Sequence, residues 1–372
     1  MSRLIVANLD AEADWARKIT RVRPELSGDA RRLVGALGTT LRVFAEEGDR
    51  LVTASDVAPE RVASIAGVPD VEVTTAARAT GEVLSWGETE EIERMRAGPS
   101  PRDGDPEAPL HERVWRFERA RPPAAARVND RAFLIDVATK LGAALPGARL
   151  IESMDDLEHH LAESGADASP DGRFVLKACF SAAGRARAIL DGSDFRPAER
   201  LLGRWGRVLF EPWMERTADF GCLGVVTRDA VELHGIHGQD VDDVGRFSGL
   251  VVHSDTTVIG VLSAFERLLL EETTRAVGER LREEEYFGPF SVDAWRYVVD
   301  GREVLHPLGE INARLTMGFV ARAWAERLAD RFDPAFPVRL AIGRGAPPVG
   351  STPLLLPGER DPLAAWLEPA GG

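Results

Sequence analysis

The chain has 372 residues, 44% of them hydrophobic and 28% charged, and a formal net charge of −14. That length suits more than one core, since single domains usually run to about 100–200 residues, and the acidic balance argues against a protein that coats nucleic acid or anionic membrane through a broad basic face. No apolar run approaches the roughly 20 residues of a membrane helix, and the start MSRLIVANLD lacks the apolar core and cleavage site of a signal peptide, so a cytoplasmic chain is expected.

Residues 1–115 alternate short strands and helices. Strands are expected at 4–9, 41–44, 51–52 and 71–75, and helices at 10–19 and 30–37. Alternation of this kind suggests a small parallel-sheet domain, without the GxGxxG turn of a dinucleotide site. The stretch AGPSPRDGDPEAP, 97–109, reads as a linker or exposed loop. Beyond it, Asn129 or Asp130 makes a good cap for a helix that closes at Gly142 and Pro146. A second helix covers 153–164 and the strand RFVLKACF follows. Further strands are expected at 207–211, 221–227, 230–235 and 250–253, then a long helix at 257–285, a hairpin, and a helix at 319–331. From Gly345 onward the chain is rich in Pro and Gly and is expected to wrap the surface or fray.

Cys179 and Cys222 lie in apolar stretches outside any CxxC pair and read as small buried hydrophobes. Nearly all basic residues are Arg; the lysines are Lys18, Lys140 and Lys177, and Lys177 lies in a strand that looks buried. HGIHGQDVDD, with His234, His237, Asp240, Asp242 and Asp243, lacks zinc-site spacing and reads as a solvated loop. The pair His159 and His160 reads as the solvent face of a charged helix.

The most informative segment is SVDAWRYVVDGREVLHPLGEINARLTMG. Two β-rich runs flank Asp300-Gly301, a dipeptide that favours a two-residue type I′ turn. With that turn Val299 faces Arg302, Asp293 faces Leu308 and Glu310 faces Ser291. Asp293 and Glu310 then become diagonal neighbours on one face, about 7–8 Å apart, and Asn312 shares that face. Three oxygen-bearing side chains there suit a hard cation, since Mg²⁺ in nucleotide sites is held by one or two carboxylates plus phosphate oxygens. The same spacing also fits a solvated strand face. Arg314, two residues on, could fork onto a phosphate or carboxylate.

The string GPFSVDAW…GREVLHPLGEINARLTMG resembles the C-terminal metal-binding signature of the ATP-grasp superfamily. The resemblance implies Asp293, Glu310 and Asn312 as ligands of Mg²⁺ or Mn²⁺, and Arg314 as an anion-binding, catalytic arginine. Three upstream segments resemble the same superfamily in the right order. FVLKACFSAAGRAR looks like its strand–lysine–glycine-loop element, with Lys177 directed at the phosphates and Ser181 and Gly184 in the loop over them. Here the loop has one glycine where members often have several. VLFEPWM looks like the hinge strand, with Glu211, Pro212, Trp213 and Met214 around adenine and Asp219 near the ribose. NDRAF looks like a phosphate-binding helix start, its cation being Arg131. Taken alone, Lys177 also fits a lysine reaching out of a strand end, and VLFEPWM fits a core strand with an aromatic plug.

The resemblance, spanning about 129–314, implies an α/β chain with an α+β catalytic part. A small parallel-sheet domain (1–115) would precede a small ATP-grasp subdomain (116–205), a core with an antiparallel sheet holding the metal site (206–344), and a C-terminal tail (345–372). It further implies an ATP-dependent ligase joining a carboxylate to an amine through an acyl phosphate. A kinase-like phosphotransferase and a non-catalytic nucleotide-sensing protein stay open as alternatives. The implied partners are ATP and small carboxylate and amine substrates, with no nucleic acid or membrane, and a homodimer is left open.

Overall fold

The computed structural model describes residues 3–20, 26–76, 81–96, 105, 107–164, 172–180, 186–241, 247–252, 262–333 and 336–370. The first sheet holds β1 (Leu4–Val6), β2 (Arg50–Val52), β3 (Glu72–Thr74) and β4 (Val83–Ser85), all parallel, in the order β3-β2-β1-β4. Parallel neighbours need long crossovers. Between β1 and β2 the chain passes through α1 (Ala11–Thr20) and α2 (Gly28–Gly38).

Residues 41–44, expected as a strand, instead belong to a 3₁₀ helix, Thr39–Phe44. The hydroxyls of Thr39 and Thr40 donate back to the carbonyls of Ala36 and Leu37, at 2.6 and 2.7 Å, which continues the helical path of α2. This apolar run is buried on every side, so burial rather than strand alternation accounts for its composition.

After α3 (Glu90–Met95) and α4 (Leu110–Arg113), α5 (Pro122–Val128) leads into α6 (Arg131–Lys140), which Asp130 caps by accepting from the Ala132 N–H at 2.8 Å. The second sheet is antiparallel: β5 (Arg149–Ile151), β6 (Phe174–Ala178), β7 (Arg187–Leu190) and β8 (Val208–Pro212), in the order β5-β8-β6-β7. It packs with α7 (Met154–Ser164) and α8 (Arg196–Trp205) around Leu157, Leu176, Leu202 and Phe210. A boundary at 205/206 would cut β8 from its partners, so this unit runs on to Pro212. His160, expected in solvent, is buried edge-on against Phe210, whereas His159 is exposed.

The third sheet has eight antiparallel strands: β9 (Arg216–Val226), β10 (Val231–Val241), β11 (Phe247–Val252), β12 (Gly288–Val299), β13 (Arg302–Asn312), β14 (Val338–Arg344), β15 (Thr352–Leu355) and β16 (Leu363–Pro369). Their order is β13-β12-β9-β10-β11-β14-β16-β15. The segment from Gly345, expected as a tail, supplies β15 and β16, with Leu354, Leu355, Leu363 and Leu367 buried. Its prolines and glycines mark turns, and Pro353 sits on the edge strand, where a missing N–H is tolerated. HGIHGQDV is likewise strand, not solvated loop: His234 and His237 are buried in β10, and Asp242 and Asp243 lie outside the described residues.

The long helix expected from 257 is α9 (Ala264–Glu283), started by a capping box of Ser263 and Glu266. Residues 253–261 lie outside the described residues. The last helix, α10 (Met317–Arg327), joins the first and third sheets in one core, its Trp324 indole donating to the Thr40 carbonyl at 2.9 Å. Among the described residues no helix is long and apolar enough to cross a membrane.

Candidate active site

The β12–β13 hairpin turns at Asp300 and Gly301, whose φ angles of 52° and 71° are those of a type I′ turn. From Val299↔Arg302 to Trp295↔His306 the ladder has the register the turn dictates. There it shifts. Asp293 pairs with Glu310 rather than Leu308, and Ser291 with Asn312 rather than Glu310. Two residues explain the shift. Pro307 has no N–H to give the ladder, and a Cβ on Gly309 would stand 1.6 Å from the Trp295 ring, so the indole occupies the space a side chain would need. The slip is two residues, so facing is preserved and the two carboxylates are direct rather than diagonal neighbours, where Cβ atoms lie about 4.5–5.5 Å apart.

Asp293 is half-buried. It accepts from the side-chain amides of Gln239 (3.0 Å) and Asn312 (2.9 Å), both neutral donors. Burial first, and then the charge of Glu310, push its carboxyl up to about 7. Glu310 accepts from Arg131 at 2.5 Å. The Asn312 carbonyl accepts from Arg314 at 3.0 Å. Two carboxylates and an amide oxygen are donors for a hard cation, and among the described residues the half-buried carboxyl of Asp293 is held by neutral amides alone, so the residues present fit such an ion. Among the described residues no three His, Cys, Asp or Glu side chains gather as a metal set.

Lys177, on β6, pairs with Glu211 on β8, both side chains nearly enclosed. Burial, offset by Glu211, lowers the lysine's pKa. Its ammonium lies 5.6 Å from the centre of the Trp295 ring, and Arg216 lies 3.7 Å from the same ring. The Arg131 guanidinium bridges β6 and β13, donating to the Ala178 carbonyl as well as to Glu310. Arg314 donates to Glu12, on α1, at 2.6 Å.

The segment expected around adenine is partly engaged elsewhere. Glu211 holds Lys177, Pro212 has no N–H, and the Trp213 N–H donates to the Arg173 carbonyl at 3.0 Å, so Met214 follows as the next backbone donor. Asp219 sits across the ladder from Trp295 and accepts from Arg216 at 2.9 Å; burial raises its pKa. Ser181 and Gly184 lie outside the described residues. The fold therefore gathers Arg131, Lys177, Glu211, Asp293, Glu310, Asn312 and Arg314, and adds Glu12, Gln239, Trp295 and His306. Of the added residues, Gln239 and Trp295 had a signal: each follows a singled-out residue, His237 and Asp293, by two positions and so shares its face.

No family model and no curated protein matches the chain by sequence. Solved structures do match it in fold. An N5-carboxyaminoimidazole ribonucleotide synthetase in its ADP complex is 13% identical, aligned over 100% of this chain and 92% of that one, with a TM-score of 0.57. The biotin carboxylase of Campylobacter jejuni in its beta-gamma-ATP complex is 9% identical over 99% and 87% of the two chains, with a TM-score of 0.54. An ATP-grasp superfamily protein from Archaeoglobus fulgidus is 12% identical over 100% of both chains, with a TM-score of 0.51. With its parallel sheet followed by two antiparallel sheets, the chain shares the ATP-grasp fold of these structures.

Proposed function

We propose that the chain is an ATP-dependent ligase that joins a carboxylate to an amine through an acyl phosphate. The observation that carries this reading is the direct pairing of Asp293 with Glu310 beside Asn312, ringed by Lys177, Arg131 and Arg314. Structures of similar fold that hold ADP or an ATP complex support a nucleotide as the ligand.

In this reading Asp293, Glu310 and Asn312 would hold Mg²⁺ or Mn²⁺, which would supply positive charge against the phosphates. Lys177 and Arg131 neutralise the nucleotide phosphates, and Arg314 the group in transfer. A substrate carboxylate oxygen bonds to the γ-phosphorus as ADP departs. The amine then bonds to the acyl carbon, and phosphate leaves as the amine gives up a proton. Trp213 and Met214 flank the adenine, and Asp219 contacts the ribose.

The test is ATP·Mg²⁺ binding by thermal shift, with ADP release measured on adding acid–amine pairs. Saturation at about 100 times the dissociation constant adds about 2.7 kcal/mol of stability. A protein that gives no such shift, or whose shift survives Glu310→Ala, contradicts the reading. Phosphate retained on the product would mark a phosphotransferase instead.

A further inference from the structure

Arg314 meets the first sheet at the carboxyl ends of β1 and β4, the edge where ligands sit in open α/β sheets. Asn8 and Gly87, which follow these strands, exchange hydrogen bonds of 2.8 and 3.2 Å and tie the start of α1 to the loop after β4. The Leu315 N–H donates to the Trp86 carbonyl at 3.0 Å, and the Arg314 guanidinium lies 5.2 Å from the centre of the Trp86 ring. One corner thus holds Glu12, Trp86 and Arg314.

Its hydrogen bonding is incomplete in a specific way. Glu12 is only 7% exposed; one carboxylate oxygen accepts from Arg314, while the other, Oε2, is buried with no partner among the described residues. Trp86 is 5% exposed, and its indole Nε1 is also buried without a partner. Arg314 has N–H groups to spare, because a guanidinium carries five and three are used, on Glu12, Asn312 and the Leu315 carbonyl. Buried polar atoms in folded proteins are nearly always paired, so an open acceptor and an open donor around one arginine need explaining.

We propose that this corner binds an amino-acid-like substrate. Its ammonium donates to Glu12 Oε2, and its carboxylate receives the Trp86 indole and the remaining N–H groups of Arg314. The Glu12–Arg314 pair is neutral, and a zwitterion leaves it so, whereas an amine or an acid alone would add net charge to an enclosed site. The inference rests on the ligase reading and names one substrate class for it.

The experiment uses the full chain with and without ATP·Mg²⁺, probed by thermal shift with alanine and other α-amino acids. Each is set against its deamino acid and its decarboxylated amine (propionate and ethylamine for alanine). The expected result is a shift with one or more amino acids and none with the matching analogues. Glu12→Gln should weaken that binding by about 10- to 100-fold, the worth of a hydrogen bond to a charged group. Trp86→Phe, which keeps the ring and removes the donor, should weaken it less and serves if Glu12→Gln does not fold. Equal binding of acid and amino acid, undiminished binding in both variants, or no amino acid bound in either state overturns the proposal. Loss of the ATP·Mg²⁺ shift in the unaltered protein overturns the ligase reading alone, because amino-acid binding is scored separately on nucleotide-free protein.

Discussion

Arg131 and Glu310 meet at 2.5 Å although 179 residues separate them in the chain. The same arrangement recurs through the site: Lys177 with Glu211, and Arg314 with Glu12. Each cation expected to face phosphate already holds a carboxylate, so the site is close to neutral before any nucleotide arrives. Binding a phosphate chain there means exchanging partners rather than filling a bare positive pocket.

This gives Glu310→Ala a cost in stability as well as in binding. Arg131 is nearly enclosed and would lose its carboxylate partner, but Glu310 is about a third open to water. The loss should therefore be about 2 kcal/mol, below the roughly 3–5 kcal/mol of a fully buried pair broken on one side. Urea unfolding without ligand measures it, and a variant as stable as the parent would show that the pair does not support the fold.

Two glycines of the hairpin should respond differently to alanine. At Gly301 nothing lies within 4 Å of the added carbon, and only the left-handed backbone resists, at about 1–2 kcal/mol. At Gly309 the new carbon meets the Trp295 indole at 1.6 Å, so the ring must leave its place beside His306 and Arg216. Gly309→Ala should cost at least the roughly 3 kcal/mol at the upper end of ordinary overpacking and alter near-ultraviolet dichroism, while Gly301→Ala should leave the spectrum unchanged. Matching melting temperatures and spectra for the two would refute the account of the register shift.

How far the site was legible follows from such details. The Asp300-Gly301 turn and two-residue alternation put Asp293, Glu310 and Asn312 on one face, because both signals are local. The shift at Pro307 and Gly309 was not legible, since it depends on where the Trp295 ring goes. Nor was the role of Glu12, whose partner lies 302 residues away. In the fold, β15 and β16 were hidden by prolines and glycines that serve turns, and the second half of β10, beyond the strand expected at 230–235, by its glycines. Within β10 a Cβ on Gly235 would stand 2.7 Å from the Arg322 guanidinium, and on Gly221 of β9 or Gly318 of α10 it would approach the His237 ring to 2.4 or 2.6 Å.

That ring gives the protein an acid limb. Burial lowers His237 to about 4, and lowers His306 to about 4 despite the nearby Glu211. Both folded values lie below the unfolded value of 6.5, so the unfolded chain takes up the protons first. The stability of the neutral rings is fully present above pH 6.5 and is lost as pH falls toward 4. At about 1.4 kcal/mol per pKa unit, His237 alone accounts for up to about 3 kcal/mol. His237→Phe should flatten the fall between about pH 6.5 and pH 4 and keep most of the stability at neutral pH, since the His237 Nδ1 has no partner to lose. Denaturant midpoints across that range check it, and an unchanged slope would rule His237 out as the cause.

The pair Lys177–Glu211 allows structure and function to be separated. Lys177→Met strands a buried carboxylate and should cost about 3–5 kcal/mol. Adding Glu211→Leu removes that charge too, and replacing a buried ion pair with apolar groups is often neutral, so the double variant should return to within about 1 kcal/mol of the parent. If Lys177 serves the phosphates, the recovered protein will still fail to shift with ATP·Mg²⁺. If the shift returns along with stability, the lysine's work is confined to holding β6 against β8, and the phosphate charge must be met by Arg131 and Arg314.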